Sequence, residues 1–114
     1  MRRLVIFAAL TLFGANFPAV RAAERMGQEV YDKWCGFCHD AGPMKAGTIG
    51  LQEKYKGAKP AVLLERNDLT PDFVKYVARH GLNYMPRFRK TEISDGELNE
   101  LADYVARKSN VSVR

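Results

Sequence analysis

Two cysteines three positions apart, with a histidine directly after the second, constrain this chain more than any other feature: Cys35-Gly36-Phe37-Cys38-His39. Each rival use of a Cys-x-x-Cys pair needs something the sequence does not supply. A thioredoxin-like redox pair sits in a βαβ context, and no strand pattern follows. A structural zinc site takes four ligands, but the chain holds only these two cysteines and one further histidine, His80. A disulfide across so short a loop would be strained and would staple almost nothing. The motif instead has the form of a c-type haem attachment site. Two thiols adding across the vinyl groups at one edge of a porphyrin must be linked by a short stretch of chain. The adjacent His39 then lies under the iron and gives it a neutral imidazole nitrogen. Cys35 and Cys38 are expected to hold one haem c covalently, with His39 as its proximal ligand.

The N-terminus reads as a targeting segment. Met1-Arg2-Arg3 is a basic start, and Leu4 to Phe13 is an apolar run too short to span a bilayer comfortably. Val20-Arg21-Ala22 carries small or apolar residues at the two positions a signal peptidase reads. Residues 1–22 are expected to be a cleaved signal peptide. Residues 23–114 are then one exported, periplasmic domain without stable membrane insertion. The segment carries Arg2, Arg3 and Arg21 and no acid, so the formal charge of +5 falls to +2 in the mature chain. Two haem propionates would bring it near zero, and no nucleic-acid partner is implied.

A mature chain of about 90 residues makes a marginal core. A large flat apolar cofactor remedies this by becoming the centre on which short helices pack, so the haem-free chain is expected to be largely unfolded.

The expected elements are all helical. Glu24 to Trp34 runs into the motif, with Gly27 and Tyr31 sharing one face; a glycine there suits a tight helix crossing. Asp40 to Lys59 is rich in glycine and lysine and reads as a loop around the haem edge, with one helical turn over Leu51 to Tyr55. Pro60 to Arg66 reads as a short helix with Pro60 at its first position. Pro71 to His80 is better marked, with Thr70 as cap, Pro71 at N1 and Gly81 as terminator. Leu82 to Phe88 is an extended loop in which Pro86 keeps Met85 out of helical geometry. Ser94-Asp95-Gly96-Glu97 is a capping box, flanked by Ile93 and Leu98 as a hydrophobic staple. It opens a last helix expected to reach Arg107 or Lys108.

The iron needs a group opposite His39, and Met26, Met44, His80 and Met85 are the candidates. Met26 precedes the motif on its own helix, and Met44 follows His39 by only five residues. His80 ends a helix, where an imidazole suits the dipole. Met85 has a proline behind it and enough chain to cross the ring, and is the expected ligand. His/Met ligation is typical of cytochromes c and raises the reduction potential. With both axial positions filled, the ring can only exchange electrons.

Together, Gly27-x-x-x-Tyr31, Cys35-x-x-Cys38-His39, Gly81-x-x-x-Met85-Pro86-x-Phe88 and the capped last helix resemble the small class I cytochromes c. The likeness covers roughly residues 27 to 106. It implies an all-α cytochrome c fold, with orthogonal N- and C-terminal helices packed around one covalently bound haem. A narrower likeness, over Val30 to His39 and over Arg79-x-Gly81…Met85-Pro86-x-Phe88, is to the cytochrome subunits of flavocytochromes that hydroxylate 4-alkylphenols. That resemblance implies a flavoprotein dehydrogenase subunit as electron donor. The downstream acceptor would be a cupredoxin or another cytochrome. The chain departs from the family at one place. Members carry a Gly-Pro about ten residues past the haem histidine, whose proline carbonyl accepts the imidazole N–H. Here Gly42-Pro43 comes early and Gly47-Thr48 stands nearer that place. The carbonyl of Thr48 could substitute, and which carbonyl accepts the bond is left open.

The expected function is therefore single-haem electron transfer, without enzymatic activity of the chain's own. A freely diffusing shuttle to a terminal oxidase shares all of this chemistry. A haem enzyme or gas sensor with a labile sixth ligand would need a distal acid–base pair, and none is evident. Trp34, Asn83 and Tyr84 are read first as packing residues. Arg87, Arg89 and Lys90 could form a basic rim steering an acidic partner.

Overall fold

A computed structural model describes residues 17–111, and all of its regular elements are helical. The apolar run of the expected signal peptide lies outside the described residues. The helices are α1 (Phe17–Trp34), α2 (Gly36–His39), α3 (Ala46–Tyr55), α4 (Pro71–His80) and α5 (Asp95–Val111), with a single 3-10 turn at Leu63–Glu65.

The core is built where α1 and α5 cross. A Cβ on Gly27 would lie 2.4 Å from the carbonyl oxygen of Glu100 and 2.6 Å from Cβ of Tyr104, so only a glycine lets the backbones approach this closely. One turn on, the Tyr31 and Tyr104 rings meet with centroids 5.9 Å apart. Val30, Leu98, Leu101 and Val105 fill the space around them, and α4 adds Ala78. The capping box forms as its sequence implies. Ser94 Oγ accepts from the amide of Glu97 at 3.2 Å, and the Glu97 carboxylate accepts from the amide of Ser94 at 2.8 Å. Ile93 and Leu98, on either side of it, are both buried. On α4, Thr70 Oγ1 accepts from the amide of Phe73 at 3.3 Å, Pro71 opens the helix and Gly81 closes it.

Four boundaries differ from the sequence expectation, each for a local reason. Helix α1 begins at Phe17 rather than Glu24. Ala19, Ala22 and Ala23 favour helix strongly, so α1 runs through the expected cleavage position. Helix α3 spans Ala46–Tyr55 where one turn from Leu51 was expected. Its start has poor propensity, but the Gly47 backbone is packed on the His39 ring, and tertiary contact overrides propensity. Between Pro60 and Arg66 only Leu63–Glu65 is helical, because Val62 and Arg66 are both extended. Helix α5 continues past Lys108 to Val111. Ser109 there is buried and its Oγ donates to the Ala106 carbonyl at 3.0 Å.

Candidate haem site

The motif continues α1 as one more helical turn. The amide of Cys35 donates to the Tyr31 carbonyl at 2.8 Å, and that of His39 to the Cys35 carbonyl at 2.9 Å. Positions 35 and 39 therefore share a face, and both side chains line one apolar cleft. The cleft holds about 830 Å3 of non-atom space, part of it open to solvent. Leu51 and Tyr55 of α3, Val74 and Val77 of α4 and Leu101 of α5 are among its walls. Cys38 is half-buried on the same turn as Cys35, and the two thiols are unbridged. Burial, and secondarily the charges of Asp40 and Cys38, push the Cys35 thiol up to about 12. It is a neutral thiol at neutral pH, unlike the activated thiolate of a redox enzyme.

Met85 reaches this cleft from a turn. Leu82 and Met85 exchange backbone hydrogen bonds at 3.2 and 2.9 Å, with Asn83 left-handed between them (φ 54°). The amide of Phe88 then donates to the Ala78 carbonyl at 2.7 Å, and Arg79 Nη1 donates to the Phe88 carbonyl at 3.1 Å, which ties the loop back to α4. Of the four sixth-ligand candidates, Met85 alone lines the cleft that His39 lines. Met26 and Met44 are exposed, and exposed His80 lies stacked on Tyr76 with its Nδ1 2.8 Å from the Tyr76 carbonyl. Met85 and His39 also line an adjoining groove between α3 and the 82–85 turn.

The His39 ring is oriented by contact. Burial lowers its basicity, partly offset by Asp40, so the imidazole is disposed to the neutral form that ligates metals. Nδ1 is buried and has no hydrogen-bond partner among the described residues. A Cβ on Gly47 would lie 2.7 Å from it. Nδ1 thus faces the α3 backbone, and Nε2 is the nitrogen left for the cleft. The Thr48 carbonyl makes no bond to His39; it lies inside α3, where a helix carbonyl accepts from the amide four residues on. The Thr48 hydroxyl instead donates to the Asp40 carbonyl at 2.9 Å.

Two further residues hold the motif. The buried Tyr31 hydroxyl donates to Asp40 Oδ1 at 2.9 Å, and Lys45 Nζ donates to the Gly36 carbonyl at 3.1 Å. Burial first, and then the Asp40 carboxylate, push the Tyr31 phenol well above its usual range, so it stays a donor. Tyr84 does not pack at all; its side chain is fully exposed at the tip of the turn. Trp34 does pack, edge-on to Phe88 at 5.7 Å.

Sequence reasoning missed Arg66. It is 5% exposed and lines the cleft. Its Nε and Nη2 donate to Asp68 at 2.8 and 2.7 Å, and its guanidinium lies 4.8 Å from the centroid of the Tyr55 ring. Lys59 pairs with the same carboxylate. No periodicity marks Arg66, and its only signal is the acid two residues on.

Residues 22–105 match the family model described as cytochrome c oxidase, cbb3-type, subunit III. The chain belongs to this cytochrome c family. It is also 26% identical, over 93% of its own length and 84% of the relative's, to the 4-cresol dehydrogenase [hydroxylating] cytochrome c subunit of Pseudomonas putida. No solved structure matches it. Membership implies a covalently bound haem c and electron transfer as the function of this cytochrome. The residues present suit such a group: a cleft with apolar walls, an imidazole whose Nδ1 is turned away, and two unbridged thiols on one turn. Among the described residues, no helix of this cytochrome is long and apolar enough to cross a membrane.

Proposed function

We propose that this cytochrome is a periplasmic single-haem electron carrier serving as the electron-accepting subunit of a flavin-dependent dehydrogenase of the 4-alkylphenol type. Cys35 and Cys38 would hold the haem as thioethers, His39 Nε2 and the Met85 sulfur would ligate its iron, and Arg66 and Lys54, which both line the cleft, would be the cations available to its propionates. Bound there, the haem supplies a one-electron Fe(III)/Fe(II) couple. The protein's part would be to offer His39 and Met85 as ligands to the iron and to exclude water with the Leu51, Val74 and Leu101 walls. Residues 1–22 would be removed on export. Electrons would pass on to a cupredoxin or another cytochrome.

The observation that carries this reading is that His39 and Met85, 46 positions apart in the sequence, line one apolar cleft with Cys35. The 4-cresol dehydrogenase relative supports the flavoprotein partner. The basic rim has less support. Arg89 pairs with Glu92 at 3.4 Å and Lys90 with Asp95 at 2.7 Å, so two of its three charges are met within the chain.

The test is anaerobic stopped-flow reduction of the purified cytochrome by a 4-alkylphenol-oxidising flavoprotein and its substrate. Each two-electron oxidation of substrate should reduce two equivalents of cytochrome in successive one-electron steps. Failure to reduce it, with normal reduction by a small chemical donor, would leave a freely diffusing shuttle. Intact mass of the exported protein should equal residues 23–114 plus one haem.

A further inference from the structure

We propose that Arg79 is a positioning residue of this cytochrome: its guanidinium ties the loop that carries Met85 to the start of α5, and so sets how readily an outside ligand displaces Met85 from the iron. The inference rests on Met85 being the sixth ligand.

The loop needs such a tie because apolar packing does little to hold it. Of residues 82–88, all but Met85 and Phe88 are exposed. A segment with so little burial opens easily unless its backbone is fixed at both ends. The near end is fixed where the Gly81 amide donates to the Val77 carbonyl at 2.7 Å, and the Leu82–Met85 pair closes the turn beyond it. The far end is Phe88, three positions past Met85, with Pro86 restricting the chain between them. Two successive residues of α4 grip the Phe88 backbone from both sides. The Ala78 carbonyl, in the last turn of the helix, accepts its amide at 2.7 Å, and Arg79 Nη1 donates to its carbonyl at 3.1 Å. The Phe88 ring meets Trp34, the neighbour of Cys35, edge-on.

Arg79 can hold Phe88 because it is itself held. Its Nη2 donates to Asp95 Oδ1 at 2.9 Å, in the first turn of α5, and Asp95 Oδ2 takes Lys90 Nζ at 2.7 Å. As an ion pair the Arg79–Asp95 contact counts for little, since Asp95 is 62% exposed. What it supplies is orientation. A guanidinium is a flat, rigid fork, and with one arm on Asp95 the other is turned to the Phe88 carbonyl. The Arg79 side chain is only 20% exposed, so water competes less for that bond than for the contacts of exposed Arg89 and Lys90. Hydrogen bonds from a charged donor are the strong kind, and losing one shifts an equilibrium about tenfold. A cation in the last turn of α4 also suits the helix dipole; were that its whole role, replacing Arg79 would leave the loop as firmly closed as before.

The test is imidazole titration of the ferric holo-protein at neutral pH, followed by the visible spectrum. Arg79→Ala should bind imidazole about tenfold more tightly than the wild type, because its loop opens more often. Hydrogen exchange of the Phe88 amide should quicken in the same variant, which reads the loop without any added ligand. Lys75→Ala breaks the ion pair with Asp72 on the same helix, and Gly27→Ala strains the helix crossing; both should bind imidazole as the wild type does. In a Met85→Ala background, Arg79→Ala should add nothing, since no ligand is left to displace. Equal imidazole affinity in the wild type and Met85→Ala would refute Met85 as the ligand, and this inference with it. Tighter binding in Met85→Ala beside an unchanged affinity in Arg79→Ala overturns this inference alone, as does a tightening in Gly27→Ala as large as that in Arg79→Ala. If Arg79→Ala does not mature, Asp95→Ala decides: its imidazole binding should tighten, and an unchanged affinity overturns the inference.

Discussion

The carbonyl oxygen of Met85 lies 2.6 Å from the place a Cβ would occupy on Gly81, a residue with φ of 74°. Two demands meet at position 81. The chain must leave α4 in a conformation that L side chains avoid, and it must let the backbone of the candidate ligand pass at contact distance. The Gly81-x-x-x-Met85 spacing thus records how the loop is folded.

Gly81→Ala should therefore do two things at once. It should cost about 1–3 kcal/mol of stability, the usual range for strain of this kind. It should also displace Met85. Chemical denaturation reads the first effect, and carbon monoxide binding by the reduced protein reads the second.

Gly27→Ala tests the helix crossing and leaves the cleft alone. A methyl group 2.4 Å from a backbone carbonyl cannot be absorbed by a rotamer change. Overpacking of this sort costs about 1–3 kcal/mol. The denaturation midpoint should fall while the visible spectrum and potential stay as in the wild type.

Much of this was legible in the sequence, and the failures share a cause. The capping box at Ser94, the Thr70 cap and the glycine at the crossing are local signals, and each appears where its residues predicted. What could not be read was where backbone or charge is placed by contact with a distant element. Helix α3 contains Gly47 and Gly50 and no strong apolar stripe, and its start is packed on His39 rather than favoured by its own sequence. Arg66 is buried because the cleft, Tyr55 and Asp68 converge on it, which no spacing announces. Which carbonyl accepts from His39 was left open by the sequence, and its Nδ1 has no hydrogen-bond partner among the described residues.

The Arg66–Asp68–Lys59 cluster carries a pH dependence. Hydrogen bonds from Arg66 and then Lys59 hold the Asp68 carboxyl well below the usual carboxylate range. A depressed folded pKa gives stability that is complete above the unfolded value, about 3.9, and is lost as pH falls through the folded one. Asp68→Asn should therefore be less stable than the wild type at pH 7. The difference should shrink steadily below about pH 4, as followed by thermal melts across the acid range.

Removal of the cofactor should dissolve most of the fold. Leu51, Val74, Val77 and Leu101 face the cleft, and without a partner there the remaining core is centred on the α1–α5 crossing. A Cys35→Ala/Cys38→Ala double variant produced without haem should show far-ultraviolet circular dichroism of a largely unfolded chain. Near-native helicity would show that the crossing alone suffices.

The central claim is that His39 and Met85 close both faces of one haem, leaving electron transfer as its only chemistry. The direct measurement is the midpoint potential and carbon monoxide binding of Met85→Ala beside the wild type, both as purified holo-proteins at neutral pH. The wild type should not bind carbon monoxide; the variant should bind it readily, and its midpoint should fall with loss of the thioether. An identical spectrum and midpoint in the two proteins, or ready carbon monoxide binding by the wild type, would contradict the account.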